Sequence, residues 1–273
     1  MPLASKIRNA VSIRSDDPLT DDAIRRVAPS IFATEAHADR SARYTYIPTI
    51  DVLRGLQREG FQPFAVAQSR VRDESRREFC KHMVRLRHAT AIRADETNEI
   101  ILLNSHDGTS SYQMLAGMFR FVCTNGMVCG ETIDDIRVRH SGNVVDDVIE
   151  GAYTVLDQFE LVEAERDDMK ALPLETGEQH AFAKAALALR YDEPEKAPIA
   201  ARQLLTPRRV EDAGDDMWSV FNRVQERVTK GGVRGTTAKG QRTRTRPVNG
   251  IDGNVKLNRA LWVLAEEMRK YKG

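Results

Sequence analysis

The chain has 273 residues, 41% apolar and 30% charged, with 41 basic against 40 acidic side chains. That supplies a core for one large domain, or one domain plus a helical appendage, and excludes a collagen, a wholly disordered chain and a coiled coil throughout. No apolar run approaches the roughly 18 residues of a membrane span, the polar N-terminus has no signal-peptide core, and three cysteines predict a reducing cytoplasm without a disulfide scaffold.

In chain order, the first fifteen residues read as mobile. Thr20, Asp21 and Asp22 then open a short helix whose acids face the positive end of its dipole. Tyr44 to Ile47 is a β-prone run, and Thr49 opens a second helix that Gly60 stops. The period then changes to two. Residues 62–72 read as a strand, Asp73-Glu74-Ser75 as a turn, and 79–88 as a cleanly alternating strand. That strand sets Cys80, His82, Val84, Leu86 and His88 on one face and Phe79, Lys81, Met83, Arg85 and Arg87 on the other. Residues 99–104 are apolar on both sides, as in a central strand. An extended stretch through Met118–Val122 breaks at the turn dipeptide Asn125-Gly126, and 133–140 makes a last strand.

Asn143 caps a long helix over 144–163. Val148, Ala152, Val155 and Phe159 in its stripe predict packing on a sheet. After Pro173 helices are expected at 178–190, 215–229 and 254–270. The glycine- and threonine-rich segment between the last two reads as a flexible loop. Strands grouped before helices predict an α+β fold, an antiparallel sheet with a long helix on one face. The expected divisions are an N-terminal extension 1–44, an α+β core 45–172, and a helical C-terminal region 173–273 with a basic loop over 229–250.

Charge is balanced overall but not locally. Residues 131–178 hold 14 acids against four bases; residues 227–247 hold seven bases and no acid. Lys230, Arg234, Lys239, Arg242, Arg244 and Arg246 lie in that last segment. Extended, the alternating arginines at 242, 244 and 246 step by about 7 Å along one side, close to the phosphate spacing of an extended single strand. A second basic stripe is Lys81, Arg85 and Arg87, with Phe79 on the same strand face, and Arg120 between Phe119 and Phe121. Cations interleaved with aromatics suit a single-strand groove.

Catalytic signals are absent: no P-loop, GxGxxG after a strand, GxSxG or HExxH occurs. His82 and His88 read as structural histidines, and His106-Asp107-Gly108 as a turn. Cys123 and Cys129 bracket five residues, not a structural zinc pair. No catalytic residue, metal or cofactor is expected.

NSHDGTSSYQMLAGMFRFVCTNGMV (104–128), preceded by FCKHMVRLRH, resembles the plasmid- and phage-borne family grouped as domain of unknown function 932. RRVEDAGDDMWSVFNRVQERVTKGG (208–232) and NGIDGNVKLNRALW (249–262) extend the resemblance. It implies a mobile-element setting and supplies no catalytic residues. The order of helix, hairpin, antiparallel strands and long helix is similar to the core of Rad52-like annealing proteins. That likeness implies single-stranded DNA in a basic groove of a ring or filament of identical chains.

The expectation is therefore a non-enzymatic single-stranded DNA binding and annealing protein. Alternatives are an interaction protein that blocks a host defence or repair factor through the acidic segment, and a nuclease-like enzyme using Asp and Glu with His106.

Overall fold

The computed structural model describes residues 10–39, 46–91, 96–121, 125–129 and 144–272. The chain divides into two compact units. One, the sheet unit, is Arg8–Met127 with Glu131–Phe159; the other, the helical unit, is Met1–Ile7, Val128–Gly130 and Glu160–Gly273.

The sheet unit is a curled antiparallel meander. Strands β1 (Ala10–Arg14), β2 (Phe61–Ser69), β3 (His82–His88), β4 (Glu96–Asn104), β5 (Gln113–Arg120) and β6 (Asn125–Val128) lie side by side in chain order. Helix α1 (Asp21–Val27) starts at Thr20, whose hydroxyl accepts the Ala23 N–H. Helix α2 (Thr49–Arg58) ends before Gly60, which takes the left-handed conformation at φ 91°. Val66, Val84, Leu86, Ile100, Leu102, Met114 and Ala116 of the sheet meet Ile24 of α1 and Val52, Leu53 and Leu56 of α2. The long helix α3 (Val144–Ala171) adds Val148, Ala152 and Val155, with Leu156 and Phe159 packed beside them. The apolar stripe expected to pack is thus buried, and each of these valines contributes about 1.5–3 kcal/mol. The β2–β3 register slips between Pro63 and Ala65, a bulge at a residue with no N–H to give the ladder.

Two expectations for this unit need correction. Residues 10–14 are not mobile but form an edge strand on β2, in register from Ala10↔Ser69 to Arg14↔Ala65. Backbone pairing holds β1, and only Ala10 and Ile13 are partly covered, so no apolar alternation announces it. Asn125-Gly126 is not a turn but opens β6. A side chain at Gly126 would run into the Arg85 guanidinium; the glycine makes room and does not bend the chain. The expected strand at 133–140, Tyr44, Thr45, Cys123 and the Asn143 cap lie outside the described residues.

In the helical unit, α4 (Thr176–Arg190), α5 (Met217–Lys230) and α6 (Ile251–Lys272) enclose an aromatic core. Trp218 stacks on Phe221 at 5.7 Å between ring centres, and Trp262 meets Phe221 edge-on at 5.8 Å. Asp216 caps α5 by accepting the Ser219 N–H. Between α5 and α6 the chain is not a flexible loop but a hairpin, β7 (Arg234–Thr236) paired with β8 (Arg242–Arg244). Alternating threonines favour the extended form. Arg190 pins its root by donating to the Val228 and Arg246 carbonyls. Among the described residues no helix is long and apolar enough to cross a membrane.

Candidate nucleic-acid interface

The two expected basic surfaces meet different fates. In β3, Arg85 and Arg87 do share a sheet face, but the curl turns that face inward. Both are buried, and Arg87 is wholly inaccessible. Glu99 of β4, itself wholly buried, takes Arg85 Nε on Oε2 at 2.5 Å and Arg87 Nε on Oε1 at 2.9 Å. Arg85 Nη2 also donates to the Met127 carbonyl at 2.6 Å, a bond from β3 to β6 that only a curled sheet allows. The Arg87 guanidinium lies over Phe119 at 3.8 Å, Phe64 at 4.5 Å and Phe121 at 5.0 Å. Among the described residues its Nη atoms have no hydrogen-bond partner; the ring faces stand in for one. Arg120 is buried with Glu96 at 3.3 Å, and Lys81, half-buried, precedes β3. These four residues form no solvent-facing stripe.

The hairpin does the opposite. Arg234, Arg242 and Arg244 are exposed. With Arg202, Pro198, Gln203, Gly235, Thr236 and Thr243 they line an open groove of about 790 Å³. Among the described residues no carboxylate lines it, and none of these four arginines is in an ion pair. Arg234 sits directly opposite Arg244, a like-charge cross-strand pair that costs stability until an anion joins it. Gly235 lets β7 dock: a Cβ there would collide with the Pro198 carbonyl. Thr236 N–H donates to that carbonyl at 2.8 Å, and Gln203 Nε2 donates to the Arg234 carbonyl at 2.9 Å. The groove is thus set on backbone bonds, which leaves its guanidinium groups uncommitted.

Of the other basic residues predicted here, Lys239 and Arg246 are exposed on the same segment but do not line the groove. Lys230 turns to Glu226 at 3.4 Å, a buried carboxylate that also takes Arg209 Nη2 at 2.7 Å. Arg202 carries no signal in the sequence because it stands alone in an ordinary stretch, on a short 3-10 turn (Ala201–Leu205). Only the docking of β7 on residues 198–203 brings it to the hairpin.

A polar chain runs through the core of the sheet unit. Gln68 Nε2 donates to the Arg77 carbonyl, which leaves Gln68 Oε1 to accept from Ser30 Oγ at 2.7 Å. Ser30 therefore accepts from His82 Nδ1 at 2.8 Å, and His82 Nε2 accepts from Thr49 Oγ1 at 2.9 Å. Thr49 in turn accepts from Asn104 Nδ2 at 3.0 Å. Every bond is satisfied with His82 neutral, and burial pushes its pKa down to about 3. His106 packs at 5.2 Å from it, also buried and pushed down to about 4. The adjacent Asp107 points elsewhere, accepting from the Thr109 N–H and hydroxyl. His88 is half-buried, with Nδ1 2.7 Å from the Thr90 hydroxyl. Cys80 is a buried thiol raised to about 11 by burial. Among the described residues no three His, Cys, Asp or Glu side chains converge as metal ligands do.

Residues 36–262 match the family model described as "Domain of unknown function (DUF932)", and the chain belongs to that family. It is similar to two proteins of Escherichia coli (strain K12). UPF0380 protein YfjQ is 57% identical over 266 residues, and UPF0380 protein YafZ 56% identical over 266 residues, each match covering 97% of both chains. No solved structure matches, and the likeness to Rad52-like proteins stays an expectation from element order.

Proposed function

We propose that this DUF932 protein binds single-stranded DNA through the arginine groove and promotes annealing of complementary strands, without covalent chemistry of its own. One observation carries the proposal: Arg202, Arg234, Arg242 and Arg244 surround one open groove that no carboxylate lines. Exposed cations held together without counter-charge are the footprint of a polyanion site. Arg242 and Arg244, two residues apart on one strand, step by about 7 Å, which suits successive phosphates of an extended strand. Guanidinium groups give phosphate two parallel hydrogen bonds as well as charge. A groove of this size on one chain covers only a short run of nucleotides, so extended binding calls for several copies side by side, as a ring or filament. The setting implied by the family resemblance is a plasmid or phage.

The test is an annealing assay with two complementary oligonucleotides, one carrying a fluorophore and the other a quencher. The protein is expected to accelerate quenching several-fold at low salt. The variant with Arg202, Arg234, Arg242 and Arg244 all replaced by alanine is expected to leave the spontaneous rate unchanged. Equal acceleration by both proteins would reject the groove as the site, and no acceleration by either would reject annealing.

A further inference from the structure

We infer that the groove recognises a chain of phosphates and neither the bases nor the sugars, so that inorganic polyphosphate is a ligand and competes with DNA for the same four arginines. The inference rests on the proposed use of the groove and narrows the chemistry of its ligand.

The first reason lies in the lining. Its members are four arginines, two threonines, proline, glycine and glutamine, with no aromatic ring. Single-strand grooves that hold bases do so by stacking them on aromatic side chains, at roughly 5- to 150-fold in affinity per base. The phenylalanines that looked suited to that task are engaged in the sheet unit. Phe119 is wholly buried and, with Phe64 and Phe121, surrounds Arg87.

The second reason is that the one amide in the groove is already used. Apart from guanine, which arginine can pair with, base edges are read by amides and carboxylates in paired geometry. Gln203 Oε1 accepts the Ala200 N–H at 2.8 Å, and Gln203 Nε2 donates to the Arg234 carbonyl at 2.9 Å. Oε1 is thus engaged by the backbone before the 3-10 turn and Nε2 by the hairpin, so the amide is committed to backbone bonds.

The third reason is electrostatic. An arginine can pair with guanine, but a base edge is neutral. Arg234 and Arg244 face each other across the hairpin with no acid in the lining. Only a formally charged ligand relieves that repulsion, and a run of phosphates does so at every step. The sugars of a DNA strand are neutral and, between the strand ends, carry no free hydroxyl to donate to the Thr236 and Thr243 hydroxyls of the lining.

The experiment uses the full chain and fluorescently labelled strands of one length: oligo-dT, oligo-dA and an abasic sugar–phosphate strand. Long-chain inorganic polyphosphate is the competitor. The three strands are expected to bind within about threefold of one another, polyphosphate to displace all three, and the four-arginine variant to lose all three together. If oligo-dT and oligo-dA bind but the abasic strand is more than tenfold weaker, or polyphosphate fails to displace them, the inference falls while DNA binding stands. If polyphosphate raises the melting temperature of the wild type but not of the variant, and no strand binds, the phosphate-chain site stands and the annealing proposal falls. If nothing binds, both fall.

Discussion

Two sets of arginines in this chain share a residue type and a spacing and have opposite surroundings. Arg85 and Arg87 alternate on β3, as Arg242 and Arg244 alternate on β8. The first pair is sealed inside the curled sheet around Glu99; the second stands in solvent with no acid in its groove. Alternation fixes which side chains share a face, not whether the face is wet. What separates the two is a carboxylate on the neighbouring strand. Glu99 lies one step beyond the Leu86↔Ile100 pair and so opposite Arg87. No equivalent exists on β7, where Arg234 meets Arg244. The inner set is expected to govern stability and the outer set binding, and each substitution below tests that division.

The largest effect is expected at Glu99. Glu99→Gln keeps the shape and leaves two buried guanidinium groups without a counter-charge, at a cost of about 3–5 kcal/mol. For a chain of this size that lowers the melting temperature by about 5–10 °C, readable by calorimetry. Replacing the set together, as Arg85→Met, Arg87→Met and Glu99→Leu, should recover much of the loss, because a buried ion cluster contributes little over well-packed apolar groups. A protein unmoved by Glu99→Gln would mean that the cluster is not buried.

Next comes the polar chain. His82→Leu strands the Ser30 and Thr49 hydroxyls and should cost about 1–3 kcal/mol in urea denaturation. It should also change the pH profile. His82 and His106 have folded pKa values of about 3 and 4, below their ordinary 6.5. The unfolded chain therefore takes up protons first as pH falls. Stability from these groups is full above about pH 6.5 and declines on acidification, by about 1.4 kcal/mol per pH unit for each histidine. His82→Leu should remove one of these two contributions between about pH 6 and 4; an unchanged slope would place the acid sensitivity elsewhere.

The smallest effect on stability belongs to the outer set. Arg234→Ala, Arg242→Ala and Arg244→Ala together should move the unfolding free energy by no more than about 0.5 kcal/mol each, while DNA binding falls. A large loss of stability would contradict their exposure.

The helices, the central strands and the stripe of α3 were legible because burial imposes a period on the sequence: Val148, Ala152 and Val155 show it plainly. Position β1 left no such mark, being an edge strand held by backbone bonds. At Gly126 a glycine needed for the Arg85 side chain looks, in sequence, the same as one needed for a turn. In the candidate site, Arg234, Arg242 and Arg244 stood out through a run of bases without acids. Arg202 did not, since its place depends on a long-range contact, the packing of Gly235 on Pro198. The burial of Arg85, Arg87 and Arg120 was hidden for the same reason: Glu99 and Glu96 become their partners only once β4 is in register.

The central claim is that the hairpin arginines, with Arg202, hold phosphates. Its most direct test is the salt dependence of single-stranded oligonucleotide binding, compared between the wild type and the variant with all four replaced by alanine. Each phosphate contact on a single strand contributes about 0.7 to the slope of log K against log salt. The variant should therefore bind more weakly, with a slope smaller in magnitude by about 3. Identical affinity and slope at every salt concentration would contradict the claim.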